Sequence, residues 1–420
     1  VSRMSDVAIY EKMKDSKERW LGDIPYTWNT RLLKYMFSIK KNIAGETGHQ
    51  VLSVTQKGIV PKNMTERGQF SLDYSKYQLV EAGDFVMNHM DLLTGWVDIS
   101  KYNGVTSPDY RVFVNTNPDS FDSQYYKYIF QYCYSNRIFY GLGQGVAGYG
   151  RWRLPADMFM NFVLPVPPID QQRRISCFLD KQCEQIDSII EEAKSSIEEY
   201  KKWRASIIFE AVTKGLNPLA EMKDSHIDWI GLVPSHWKLS RIKNELDNLD
   251  YLREPISAEK RENILGLYDY YGASGVIDKI DDYNVDDKVL LIGEDGANLR
   301  MRNLPLVYKA EGKFWVNNHA HILKVHDDNC YGFIAYLLEA GDYSVFITGS
   351  AQPKLSQFNL MRFPIVIPPL VEQQEIEAYL DEKCSAIDAL IREKKSLLSE
   401  LEIYKRSLIF ETVTGKRKVV

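Results

Sequence analysis

Asp295, Glu311 and Lys313 are the residues whose types come nearest to a catalytic set. An aspartate followed by Glu-x-Lys can hold a divalent cation and orient a water for phosphodiester cleavage. Three such common residues at loose spacing also arise readily by chance, and surface charge is the reading favoured here. His319 and His321, in NNHAHIL, would share one face of a strand and could in principle bind metal. No acid or cysteine stands at ligand spacing beside them, so the pair reads as part of a half-buried strand and no metal site is expected. No G-x-x-x-x-G-K-[ST] phosphate loop and no Asn-Pro-Pro-Tyr-like tetrapeptide occurs. The glycine-rich stretch 141–153 (GLGQGVAGYGRWR) lacks the strand-then-helix context of a dinucleotide site and reads as a loop that lets backbone approach a partner closely. No catalytic residue is expected.

What the sequence does offer is cations and amides on glycine-containing loops. GEDGANLRMR presents Asn298, Arg300 and Arg302, and Arg and Asn can address guanine and adenine through paired hydrogen bonds. Gly148-Tyr149-Gly150-Arg151-Trp152-Arg153-Leu154 is matched, 201 residues on, by Gly349-Ser350-Ala351-Gln352-Pro353-Lys354-Leu355. Glycines there allow close approach to a phosphate backbone, and Arg151, Arg153 or Lys354 would supply countercharge. Tyr149 and Gln352 join them as candidates, and Lys57, Arg67, Lys76 and Tyr77 are weaker candidates of the same kind. The overall charge of −5 is adverse to a nucleic-acid partner. It is unevenly spread: residues 20–165 carry 14 Lys and Arg against 12 Asp and Glu, and residues 229–365 carry 15 against 19. Any contact with a polyanion must therefore come from local patches.

These loops need elements to hold them, and a repeat supplies the plan. Met13-Lys14-Asp15-Ser16, Trp20, Gly22, Pro25 and Trp28 recur at an offset of 209 as Met222-Lys223-Asp224-Ser225, Trp229, Gly231, Pro234 and Trp237. PPIDQQRRISCFLDKQCEQID (167–187) recurs as PPLVEQQEIEAYLDEKCSAID (368–388), with one residue gained and one lost near the glutamines, and SIIFEAVTKG (206–215) as SLIFETVTGK (407–416). The chain is a tandem duplication of globular segment and long helix. Ile186, Ile190, Ala193, Ile197, Tyr200, Ile207 and Ala211 fall on alternating three- and four-residue steps, interrupted by Arg204. Ile387, Ile391, Leu398, Leu401 and Leu408 share that register, interrupted by Lys394 and Lys405. Such seams predict two helices of about 43 residues, ~64 Å each, starting after the Pro-Pro pairs. Two solvated spacers or a homodimer zipper would also suit such helices; the matched registers favour pairing within the chain, and the connectivity then makes the pair antiparallel. The segments between them alternate short β-like runs with Gly, Asp and Asn turns, plus one helix each (Gln124–Tyr134; Tyr331–Ala340).

The predicted class is α+β: two mixed α/β heads, separated by two long antiparallel helices that form an intramolecular coiled coil, in a pseudo-twofold tandem duplication. Expected boundaries are 1–165 (first head), 166–218 (first helix), 219–365 (second head) and 366–420 (second helix). The absence of any apolar run of about 18 residues excludes a membrane span. Five scattered cysteines without CxxC spacing, and an N-terminus without an apolar signal core, fit a cytoplasmic protein.

The chain resembles type I restriction-modification specificity subunits along nearly its whole length. The paired W-x-G-x-x-P-x-x-W segments and paired PP…QQ…LD…ID…IF-E-x-VT helices carry the resemblance, with LSVTQKGIVP (52–61), GDFVMNHM (83–90), SPDY (107–110), YYGASGVID (270–278), LIGEDGA (291–297) and WVNNHAHIL (315–323). It implies that each head is a target-recognition domain reading one half of a bipartite, asymmetric DNA site, and that the helices set the gap. It also implies two methyltransferase subunits and two motor-nuclease (restriction) subunits as partners. S-adenosylmethionine, ATP and Mg²⁺ would belong to those partners, with no cofactor in this chain. The alternative from another class is a non-enzymatic scaffold with two protein-binding heads.

Overall fold

The computed structural model describes residues 8–62, 74–145, 152–262 and 266–419. Four helices organise it: α1 (Ser123–Ser135), α2 (Ile169–Lys214), α3 (Tyr331–Ala340) and α4 (Leu370–Val413). The chain divides into two compact units, residues 1–193 with 396–420, and residues 194–395. Each unit holds one head, the first half of one long helix and the second half of the other.

The long helices run 46 and 44 residues. Both begin directly after a Pro-Pro pair, where missing N–H groups cost nothing. Both stop at a left-handed glycine, Gly215 (φ +72°) and Gly415 (φ +75°), the conformation that closes a helix C-terminus without a Cβ penalty. Ile186, Ile190, Ala193 and Ile197 are buried on α2, and Ile387, Ile391 and Leu408 on α4. Further along α2 the seam departs from the strict heptad: Ile208, not Ile207, is buried. A straight helix drifts ~20° per heptad, which carries the buried stripe onto the next residue. The polar interruptions are paired. Arg204 meets Asp388 at 3.2 Å in one unit, and Lys405 meets Asp187 at 2.6 Å in the other.

In the first unit a four-stranded antiparallel sheet has the order Phe37–Lys40, Arg111–Asn115, Phe85–Met87, Val97–Ile99. Its inner face and α1 enclose an aromatic core in which Phe37, Phe85, Phe113 and Phe130 meet, mostly edge to face, with ring centroids 4.9–5.9 Å apart. The second unit repeats this order with Leu246–Asn248, Ala320–Val325, Val285–Gly293 and Val307–Val316, then adds Tyr268–Gly272, parallel to its neighbour, and Gly275–Ile280. Its core is aliphatic, from α3 residues Ile334, Leu337 and Leu338 against Leu290, Ile292 and Leu323. In both units a two-stranded ribbon leads into the long helix: Asn29–Leu32 with Val163–Val166, and Lys238–Arg241 with Pro364–Ile367. No described helix is long and apolar enough to cross a membrane.

Candidate nucleic-acid interface

The repeated motifs turn out to be the joints that fix each head to the helices. Asp15 and Ser16 accept from the amides of Lys17 and Glu18, and Asp224 and Ser225 do the same for His226 and Ile227. These bonds set a tight turn in which Lys17 and His226 both take positive φ, and they bring Met13–Asp15 against Asp23–Pro25, and Met222–Asp224 against Leu232–Pro234. The turn delivers the second tryptophan of each motif into the junction. Trp28 Nε1 donates to Gln171 Oε1 at the start of α2 (2.8 Å), while a Cβ on Gly415, at the end of α4, would meet its ring at 3.1 Å. Trp237 Nε1 donates to Glu372 Oε1 at the start of α4 (3.1 Å), while a Cβ on Gly215, at the end of α2, would meet its ring at 3.2 Å. In each unit one tryptophan therefore touches the beginning of one long helix and the end of the other, so the two helix halves beside it are antiparallel.

The next residue locks the head helix. Gln172, fully buried, accepts from the Asp122 amide at the N-cap of α1 (2.8 Å) and donates to the Ser120 and Pro167 carbonyls. Gln373, 1% exposed, accepts from the Cys330 amide at the N-cap of α3 (2.8 Å) and donates to Asn329 Oδ1 and the Pro368 carbonyl. Gln171 thus corresponds to Glu372 and Gln172 to Gln373 at a constant offset of 201. The gain and loss of a residue inferred near the glutamines is unnecessary, because hydrogen-bonding role and not residue identity aligns the two copies.

The candidate loops are held by a second shared device. In the first head Leu154 donates its amide to the His89 carbonyl (2.9 Å) and its carbonyl accepts from Arg111 Nη2 (2.9 Å). In the second head Leu355 donates to the Glu294 carbonyl (2.7 Å) and its carbonyl accepts from His321 Nε2 (2.8 Å). Each latch pins the residue that follows an exposed cation, Arg153 or Lys354. The chemistry around the latches differs. In the second head His321 Nδ1 meets Asp250 Oδ2 at 2.6 Å. Its Nε2 faces a carbonyl, an acceptor only, so Nε2 carries hydrogen and a further proton is shared with Asp250. Arg253 reaches Asp250 (3.3 Å) and bonds Glu294, and Lys354 Nζ lies 2.9 Å from Glu294. Burial works against ionising Asp250 and Glu294. Bonds from His321 and the Ile322 amide to Asp250, and from Arg253 and Lys354 to Glu294, prevail and hold both carboxyls below their usual range.

The structure brings two of the sequence-predicted clusters together. Gly296 N bonds the Pro353 carbonyl, Asp295 pairs with Lys354 as an isolated bridge, and Arg300 Nη2 reaches the Gly349 carbonyl at 3.2 Å. Arg300, Gln352 and Lys354 are thus exposed on adjoining loops. Gly349 (φ +80°) sits where a Cβ would collide with the Gln352 carbonyl, so this turn requires glycine. Asn298 spends both ends of its amide within its own loop, on Leu304 and Pro305. Arg302 is turned back onto α3, donating to the Glu339 and Gly341 carbonyls at its C-terminus, over the Tyr343 ring. The two arginines should separate experimentally. Arg302→Ala is expected to lower stability by about 1 kcal/mol through the lost cap, and Arg300→Ala to stay within about 0.5 kcal/mol; urea midpoints check both.

In the first head Lys57 is exposed at the tip of the hairpin Leu52–Thr55/Gly58–Pro61, its amide donating to Thr55 Oγ1. Lys76 is exposed and Tyr77 half-buried in the turn before Gln78–Val80, where Tyr77 meets Tyr74 edge to face at 4.8 Å. Burial and the neighbouring Tyr74 push its hydroxyl above the usual value. Gln78 holds the adjacent SPDY turn through the carbonyls of Ser107, Pro108 and Tyr110. Arg153 is exposed, its backbone bridged to Gln144. Arg67, Tyr149 and Arg151 lie outside the described residues. Nothing brings Lys57, Lys76 and Arg153 onto one loop.

His319 stands in the turn before Ala320–Val325 and pairs with Asp295 at 2.8 Å, whereas His321 points into the core. They do not share a strand face, and among the described residues no group of three or more His, Cys, Asp or Glu could hold a metal. Asp295, Glu311 and Lys313 are also dispersed. Asp295 follows the strand end at Gly293, but Lys313 pairs with Asp286 in the register Asp286↔Lys313, Ile292↔Val307, six residues or ~20 Å away along the strand. Sequence reasoning missed the Gln172 and Gln373 clamps, although the paired glutamines stood in the motif. It also missed Arg111, Asp250 and Glu294, for which no local signal exists.

Residues 234–400 match the family model described as type I restriction modification DNA specificity domain. A protein named as a type I restriction enzyme specificity subunit in Haemophilus influenzae is 33% identical over 146 residues, 34% of this chain and 36% of that protein. One named as the MjaX specificity subunit in Methanocaldococcus jannaschii is 21% identical over 260 residues, 56% of each. The chain thus aligns with about a third to about half the length of these curated relatives. A solved structure from work on complex assembly and conformational transition of a type I R-M system superposes with a TM-score of 0.69 at 14% identity, covering 93% of this chain and 98% of that one. At that identity the likeness concerns the fold: mixed α/β domains with two long helices. Residues 234–400 thus resemble the type I restriction modification DNA specificity domain, and both of these relatives are named as specificity subunits.

Proposed function

We propose that this chain is a sequence-specific DNA-binding specificity subunit, in which each head reads one half of a bipartite asymmetric target. The observation that carries this reading is the paired latch. Two heads built on one plan each hold an exposed cation on a fixed loop, yet surround it with different side chains, as unequal half-sites would require. Arg300, Gln352 and Lys354 are the proposed contacts of the second head and Arg153 of the first. The long helices set the spacer and dock two methyltransferase subunits; two restriction subunits join in turn. The chain itself is non-catalytic and cytoplasmic, and S-adenosylmethionine, ATP and Mg²⁺ belong to the partners.

Selection from a random-sequence duplex pool by the assembled complex tests the reading. A bipartite motif with unlike halves is expected; no enrichment would support a scaffold instead. Deleting one heptad from each long helix is expected to change the preferred gap between the halves. An unchanged gap would remove the helices from that role.

A further inference from the structure

The latch of the first head contains a buried charge without a counter-ion. Arg111 is 5% exposed, and its guanidinium lies over the Phe159 ring at 4.8 Å. One terminal nitrogen holds the Leu154 carbonyl, and Nη1 has no partner. Among the described residues no carboxylate forms an ion pair with it. His89 Nδ1 is likewise buried and unpartnered. Burial and the positive charges of Arg111 and Arg153 hold this imidazole down to about 4, so it is neutral and contributes no compensating charge. Burial pulls Arg111 down only to about 10, so it stays cationic at neutral pH. The corresponding place in the second head is internally balanced: Asp250 and Glu294 answer His321, Arg253 and Lys354.

A buried, unpaired guanidinium costs several kcal/mol, and a fold keeps one where an outside anion completes it. Arg153 is exposed, and its charge acts on His89. We propose that Arg111, with His89 and Arg153, forms an anion site in the first head that receives one backbone phosphate of bound DNA. The remaining Nη1 hydrogens supply the bond, His89 offers a second donor through Nδ1–H, and Arg153 guides the phosphodiester in. The site rests on the DNA-reading role proposed above. It makes the first head the more salt-sensitive reader, since its partner position is neutralised from within.

The test uses the full chain in its assembled complex and the bipartite duplex found by selection. Arg111→Met is expected to weaken binding roughly ten- to a hundredfold and to make the salt dependence shallower by about 0.9 in log–log slope. Its unfolding midpoint should fall little, because removal of an uncompensated buried charge offsets the lost bond to the Leu154 carbonyl. Unchanged affinity and slope in the folded variant would overturn the site. If Arg111→Met does not fold, Arg111→Lys keeps the charge without the fork. It should keep the slope and lose roughly tenfold in affinity, and no loss would overturn the site equally. Methylphosphonate substitution along the duplex should reveal one sensitive linkage in one half-site for the wild type that Arg111→Met no longer senses; identical profiles would count against it. A pool that yields no bipartite motif defeats the DNA-reading role, whereas a motif bound equally well by both proteins defeats only the phosphate site.

Discussion

Replacing Trp237 by alanine is expected to lower the stability of the second unit by about 3–5 kcal/mol, measured as an early urea transition against the wild type. The side chain is 1% exposed and occupies the point where the end of α2, the start of α4 and the repeat motif converge. Its loss removes the bond to Glu372 and leaves a cavity bounded by two helix termini and a strand, which cannot close without disturbing the left-handed Gly215 turn. Glu372→Gln, which keeps the acceptor, should cost far less. Trp28→Ala should act alike on the first unit, where Gln171 already plays that neutral role. A loss below 1 kcal/mol at Trp237 would mean that the helix ends hold together without it.

Removing the Asp250 carboxylate is the second large effect. Asp250→Ala leaves His321, the Ile322 amide and Arg253 without their shared acceptor inside the second head. Breaking a buried ionic set by deleting one member typically costs about 3–5 kcal/mol, and urea unfolding of the full chain measures it. The same network predicts acid lability. Asp250 and Glu294 titrate lower folded than unfolded. Their contribution is therefore complete above the unfolded value of about 4 and is lost as pH falls through the depressed folded values. The second unit should lose stability on acidification below about pH 4 more steeply than Asp250→Ala does. Parallel pH profiles for the two proteins would exclude the network as the cause.

What the sequence determined by itself was everything governed by near neighbours. The long helices follow from three- and four-residue spacing after a Pro-Pro pair, and α3 spans the segment expected, Tyr331–Ala340. The duplication announced two heads of like plan, and the PP…QQ and W…W motifs marked where they join the helices. Tertiary structure alone decided how polar side chains are spent, because those bonds join residues far apart in sequence. Arg302, exposed as expected, also closes the end of α3. His321, two residues from His319, turns inward to Asp250, 71 residues away in sequence. Gln172 and Gln373 proved equivalent only when their carbonyl and amide partners could be compared. Arg111 gave no sign of itself as an isolated arginine at the start of a strand. Its meaning depends on its having no ion pair among the described residues, and which groups lie beside it is fixed by the packing of the head around it.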